Sequence, residues 1–275
     1  MPDSLEYTIN AKPAGLWNWP ELWRYRELFY FFTWRDIKIK YKQTVLGFLW
    51  AILQPLLMMV IFTLFFGRTL KIPSQNLPYP VYVFSGLLMW NLFASGLTNA
   101  SNSMVGNASI IKKIYFPRLI IPVSSVLAAL FDFLMAFVIF VVLLLYYRQP
   151  VSFVALLLWP AAVVASVMAT LGMGTGLAAL NVKYRDFRYV IPFVVQIMFF
   201  LSPVIYPVNM INYPALRYLL AASPMYAVIE LFRFPLTDIL ADRTLLTISL
   251  LSNAILLWGG ILYFRRTEDL FADLA

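Results

Sequence analysis

Apolar runs of about twenty residues alternate with short polar and basic stretches along most of the chain, and runs of that length are what a helix needs to cross the hydrocarbon core of a bilayer. Six stand out, at 47–66, 81–97, 119–146, 151–180, 190–206 and 245–264. The third and fourth exceed the minimum, so tilt or protrusion is expected there. Ahead of them, residues 22–46 read as an amphipathic helix. Tyr30, Trp34, Ile37 and Tyr41 share one helical face, and Arg35, Lys38 and Lys42 form a neighbouring basic one. Aromatics beside cations suit a helix lying on a charged leaflet, and contact with a cytoplasmic partner fits the same pattern. Residues 207–244 carry Pro207, Pro214, Pro224 and Pro235, with apolar stretches at 216–222 and 225–234 that are too short to cross. Such stretches read as re-entrant or interfacial, and re-entrant backbone survives only against protein or a water-filled cavity.

Composition strengthens this picture. Of 275 residues, 62% are hydrophobic and 12% charged, whereas a soluble domain carries about 25% charged residues. A soluble enzyme or a disordered chain is therefore excluded in favour of an integral membrane protein. The net charge of +8 has a topological meaning: 15 of the 21 Lys and Arg fall on the side shared by both termini. The positive-inside rule then puts both termini in the cytoplasm, consistent with an even number of spans, and nucleic-acid binding is not needed to explain the charge. The first 25 residues hold Asp3, Glu6, Lys12 and Glu21 and no uninterrupted apolar core, so they do not read as a cleavable leader. The expected division is a cytoplasmic segment at 1–46, a six-span domain at 47–264 and a cytoplasmic tail at 265–275.

Candidate chemistry is sparse. The chain has no cysteine and no histidine, which removes thiol nucleophiles, the commonest general base and the commonest metal ligands. It has no G-x-x-x-x-G-K-[ST] loop, so it does not hold ATP by that route. No catalytic residue, metal site or cofactor is assigned to it. Asp132, in the middle third of the third run, must face protein or be protonated. With no second membrane charge beside it, it reads as a structural contact rather than a proton relay; an ion-coupled secondary transporter is the rival reading. Tyr82, Gly86, Trp90 and Phe93 form one face of the second run, and Tyr189, Phe193, Gln196, Phe200 and Pro203 one face of the fifth. Rings on a helical face usually mean packing, and they also suit a sugar-conducting path. Gly172 and Gly176 form a small-xxx-small pair that permits close helix contact. Gln54-Pro55 frees a backbone carbonyl and is expected to kink the first span.

Five stretches taken together resemble one family: RDIKIKYKQTVLGFLWAILQP at 35–55, IKKIYFPRLIIP at 111–122, LNVKYRDFR at 180–188, FFLSPVIY at 199–206 and SPMY at 223–226. Their order and spacing are similar to those of type-2 ABC exporter permeases of the O-antigen, capsule and teichoic-acid branch. The resemblance implies an all-α integral membrane protein with six transmembrane helices, an N-terminal interface helix, and outer-face re-entrant helices between spans five and six. It implies a half-channel in the cell inner membrane that pairs with a second copy and is driven by two copies of a cytoplasmic ATPase, which carries the ATP and Mg. The cargo implied is a glycan on a polyprenyl diphosphate, with membrane lipids around the complex. Tyr82, Trp90, Phe93, Phe193, Gln196 and Phe200 would line the conduit. Ser101, Asn102, Ile110, Ile111, Lys112 and Lys113 would form the helix that docks on the ATPase. Arg35, Lys38 and Lys42 are expected, from charge and position, to meet the diphosphate headgroup.

Overall fold

The computed structural model describes residues 23–42, 47–184, 186–239, 241–268 and 271. The leader reading for residues 1–22, the Lys12 and Arg185 contributions to the charge count, and most of the 265–275 tail lie outside them. Helix α1 is Arg26–Lys42, and α2 is Gly47–Phe62, continued by a wider π-type turn over Thr63–Thr69. Then come α3 (Tyr79–Gly106), the single turn α4 (Ala108–Ile111), α5 (Ile120–Tyr146) and α6 (Ala155–Lys183). Last are α7 (Phe187–Phe200), α8 (Pro214–Ala221), α9 (Pro224–Thr237) and α10 (Arg243–Thr267).

Among the described residues, five helices are long and apolar enough to cross a membrane, Leu49–Thr69 and α3, α5, α6 and α10, and a sixth crossing is counted if the bent pair α8–α9 is one span. Helix α3 is the central post, packed against α2, α5, α6, α7 and α9. Its core is built from Tyr82, Phe84, Leu88, Phe93 and Leu97 against Phe140 of α5, Ala162 and Ala169 of α6 and Phe232 of α9. A second core closes the Gly106 end, where Phe32, Met104, Ile111, Phe116, Val182 and Phe264 meet.

Two boundaries differ from the hydrophobic pattern. The run at 81–97 extends as helix to Gly106, because the polar residues that follow bond back along the helix: Ser101 Oγ donates to the Leu97 carbonyl and Asn102 Nδ2 to the Thr98 carbonyl. The run at 190–206 holds a helix of only 14 residues, about 21 Å at 1.5 Å per residue, against about 30 Å of hydrocarbon. Pro203 has no amide hydrogen and disfavours helix at Ser202, which stops α7. The chain nevertheless runs the length of α3. It starts at the end where Asn181 Nδ2 meets the Ser101 carbonyl (3.0 Å), and reaches the other end at Ile205, whose carbonyl accepts from the Tyr79 hydroxyl (3.0 Å).

The α8–α9 pair turns through 90°. The corner is held by hydroxyls: Ser252 Oγ donates to the Ala222 carbonyl, Ser249 Oγ donates to the Ser223 carbonyl, both at 2.7 Å, and Ser202 Oγ lies 3.2 Å from Ser223 Oγ. Ser223 caps α9 by accepting from the Met225 amide, and Pro224 follows as the first helical residue, a pairing suited to a helix start.

Helices α6 and α10 touch backbone to backbone. A Cβ at Gly260 would overlap the Gly172 carbonyl oxygen, and one at Gly172 would meet the backbone of Leu256 and Leu257. The small-residue pair in the fourth span therefore has its partner in the sixth. Gly260→Ala should lower stability by about 1–3 kcal/mol, read as an earlier thermal midpoint in detergent. Gly259→Ala, with nothing within 4 Å of its added carbon, should leave the midpoint unchanged.

Candidate functional site

At the Tyr79 end, Arg233 of α9 is almost fully enclosed, at 1% exposure. Its Nη1 donates to the Pro203 carbonyl (2.6 Å), its Nη2 to the carbonyls of Tyr82 (2.9 Å) and Val204 (2.8 Å), and its Nε to Ser85 Oγ (3.1 Å). The guanidinium lies 3.7 Å from the centre of the Tyr82 ring, a cation–π geometry. Glu230, one turn earlier on α9, is also buried. The charge count treats Arg233 as a loop cation; the fold makes it an internal crosslink. The sequence signal for it was Gly86 in the middle of an aromatic face, since any Cβ there would run into Arg233 Nη2 and the Val204 backbone.

The residues expected to line a conduit separate into two groups. Tyr82 and Phe93 are fully buried and Trp90 nearly so, inside this chain's own core. Tyr82 lies under Arg233, and Trp90 packs edge-on against Phe199. As side chains locked between helices, these three are packing residues in the single chain, which corrects the expectation for the second span. Phe193 and Phe200, by contrast, are 62% and 59% exposed, and Gln196 is exposed on the same face of α7.

At the Gly106 end, α1 fastens to α5 along a polar seam. Thr33 Oγ1 donates to the Ser124 carbonyl and Ser124 Oγ to the Phe29 carbonyl, both at 3.5 Å, and Ser125 Oγ donates to Asp36 (3.3 Å). Lys40 and Tyr41 both donate to the Asp132 carboxylate. Asp132 thus has a cationic partner, contrary to the reading that it stands alone; the partner was missed because it lies in the interface helix, 92 residues away in sequence. Burial and the adjacent carboxylate push the Tyr41 phenol above its ordinary pKa, so it remains a donor. The predicted aromatic face of α1 divides accordingly: Tyr30 and Trp34 stack on each other in the open, while Ile37 and Tyr41 turn inward.

Arg35, Lys38 and Lys42 do come together, around a cavity of about 240 Å³ that also includes Ile39. Arg35 is the least available of the three, since it pairs with Asp36 (2.7 Å) and lies over the Phe32 ring. The residues expected to dock a partner do not form one helix. Ser101 is buried within α3, and Asn102 accepts from Asn181 Nδ2 (3.0 Å). Ile111 enters the second core and Ile110 packs beside it. That leaves Ser101 and Ile111 buried, and Asn102 and Ile110 half-buried. Lys112 and Lys113 remain exposed, joined by Ile114 and Tyr115.

A family model described as ABC-2 type transporter matches residues 27–236. The chain belongs to that family. Among relatives of this ABC-2 transporter chain, an O-antigen export system permease protein RfbA from Myxococcus xanthus is 29% identical over 256 residues, covering 92% of this chain and 97% of the relative. A protein of the same name from Klebsiella pneumoniae is 30% identical, covering 87% and 92%. The polysialic acid transport protein KpsM of Escherichia coli is 25% identical, covering 86% and 91%. The matched span starts one residue into α1 and ends at the close of α9, so the interface helix and the Arg233 crosslink both lie inside the family's shared region.

Removing the arginine strands the buried carbonyls of Pro203 and Val204, while that of Tyr82 keeps the Ser85 hydroxyl (2.7 Å). Arg233→Leu should cost at least about 2 kcal/mol on that account, and Gly86→Val should act in the same direction by displacing the guanidinium. Both are checked by thermal unfolding of the detergent-purified protein, with an unchanged midpoint for Arg233→Leu counting against the crosslink.

Proposed function

We propose that this ABC-2 permease is the membrane subunit of an ATP-driven exporter that moves a lipid-linked polysaccharide across the cytoplasmic membrane. The observation that carries this reading is the near end-to-end match to O-antigen export permeases, which leaves little of either chain unpaired. The chain contains no phosphate loop, so nucleotide hydrolysis falls to a separate ATPase with its ATP and Mg, two copies serving two copies of this chain. The basic excess supports an orientation with both termini cytoplasmic. The α8–α9 pair then sits at the outer face as a re-entrant hairpin. Its corner rests on Ser249, six residues inside α10, about 9 Å from that helix's start.

In this reading the exposed Lys112–Tyr115 surface meets the ATPase, and its closure is transmitted through α4 and the second core to α1. The exposed ring face of α7, with Phe193, Gln196 and Phe200, lines the conduit toward the second copy. The Arg35, Lys38 and Lys42 cluster meets the diphosphate of a polyprenyl-linked glycan. Deleting the gene in its host should abolish surface polysaccharide and leave lipid-linked glycan inside, with recovery on re-expression. Replacing Arg35, Lys38 and Lys42 together by Glu should cut surface polysaccharide by about tenfold or more, as loss of a charge-assisted headgroup contact predicts. The ATPase should still co-purify; wild-type export from that variant would remove these residues from headgroup binding.

A further inference from the structure

Away from the aromatic faces, α3 presents a polar stripe to two adjoining cavities of about 470 and 410 Å³, each of a size that holds a small ligand. Both are lined by Lys40, Thr98, Asn99 and Asp132. The first opens toward Asn102 and Asn107, and the second toward Trp50, Gln54 and Asn91. Asn91 is twelve residues into α3, about 18 Å along its axis, so the cavities reach from the Gly106 end to the middle of the bundle. Polar side chains at that depth are tolerated where they line water or protein, not lipid.

The character of the lining selects its occupant. The charged residues are one cation and two anions, Lys40 against Asp36 and Asp132, with Lys40 bonded to Asp132. Lys40 is committed to Asp132, and Asp36 is paired with Arg35, so a diphosphate would find no excess of positive charge there. Ser95 and Thr98 spend their hydroxyl hydrogens on the carbonyls of Asn91 and Ala94 (2.6 and 2.8 Å), which leaves oxygen lone pairs facing outward. Amides at Gln54, Asn91 and Asn99 add both donors and acceptors. The Trp50 ring, 54% exposed, offers a flat apolar face. Neutral ligands rich in hydroxyls and carrying apolar C–H faces match that set.

We infer that the two cavities form one hydrated site for the saccharide portion of the cargo, inside a single chain and separate from the cationic headgroup cluster and the α7 ring face. The Lys40–Asp132 pair marks the junction between the two chambers. The site rests on the polysaccharide-export reading for the identity of its ligand, while its hydration does not.

The absence of native cysteine makes the test direct. Ala94→Cys and Ala128→Cys, in the linings of the second and first cavity and each checked for restoring surface polysaccharide to a deletion host, are probed in inverted vesicles with a water-soluble maleimide. Val138→Cys, on the exposed side of α5, is the dry control. Vesicles come from cells that make the lipid-linked glycan and from cells blocked at the first glycosyl transfer, and are depleted of ATP. Positions 94 and 128 should label readily in glycan-free vesicles while position 138 resists. Glycan should slow labelling roughly tenfold, as expected for a site filled at about ten times its dissociation constant, and millimolar inorganic diphosphate should not. Labelling at 94 and 128 as poor as at 138 overturns the hydrated cavity. Equal rates with and without glycan, or protection by diphosphate alone, overturn the saccharide assignment. Surface polysaccharide that persists in the deletion host sinks the export reading instead, and is scored separately from the labelling.

Discussion

Four hydrogen bonds from one guanidinium join three pieces of chain that share no regular hydrogen-bond ladder. Arg233 connects α9 to the outer turns of α3 and to the irregular stretch that follows α7. The carbonyls of Pro203 and Val204 lie past the end of their helix, with no water in an apolar surround to satisfy them. A buried arginine substitutes for the missing ladder, and the face of the Tyr82 ring offsets part of its charge. The glycine at 86 and the seating of α9 go with this one arrangement, which satisfies the carbonyls exposed where Pro203 stops α7.

The opposite end is organised differently. There α1 is held by a polar seam to α5 and by Phe32 in a small apolar core, with aromatic side chains left facing outward. An interface helix bonded to Asp132 is mechanically part of the bundle. Ile111 and Phe116 share one core with Phe32, and Lys40 and Tyr41 tie the same helix to mid-bundle, so α4, α1 and α5 are joined through continuous contacts.

The all-helical membrane class, five of the long helices, the interface helix and the proline-rich corner were legible in the sequence, because length and periodicity of apolar runs determine them. The family was legible from short runs in a fixed order. Side-chain destinations were less so. Tyr82, Trp90 and Phe93 share a helical face as read, but periodicity does not say whether a face meets a cavity or another helix. Asp132 needs a partner by its depth alone, yet Lys40 lies outside the spans, in the segment that reads as an interface helix. Arg233 was counted with the loop charges because a short apolar stretch bearing one cation looks like a loop until the neighbouring backbone is known to need a donor. Ser101 was expected to dock a partner, because the helix was read as ending before it.

The contact between Gly172 and Gly260 has a mechanical consequence. Helices separated by interlocked side chains can slide, because rotamers absorb small shifts along the ridges. Where two backbones touch, no side chain lies between them to yield, and displacement along the axis brings carbonyl against carbon. Helices α6 and α10 are therefore packed to resist sliding past each other. Helices α2 and α7, by contrast, are mostly uncovered by the rest of the chain.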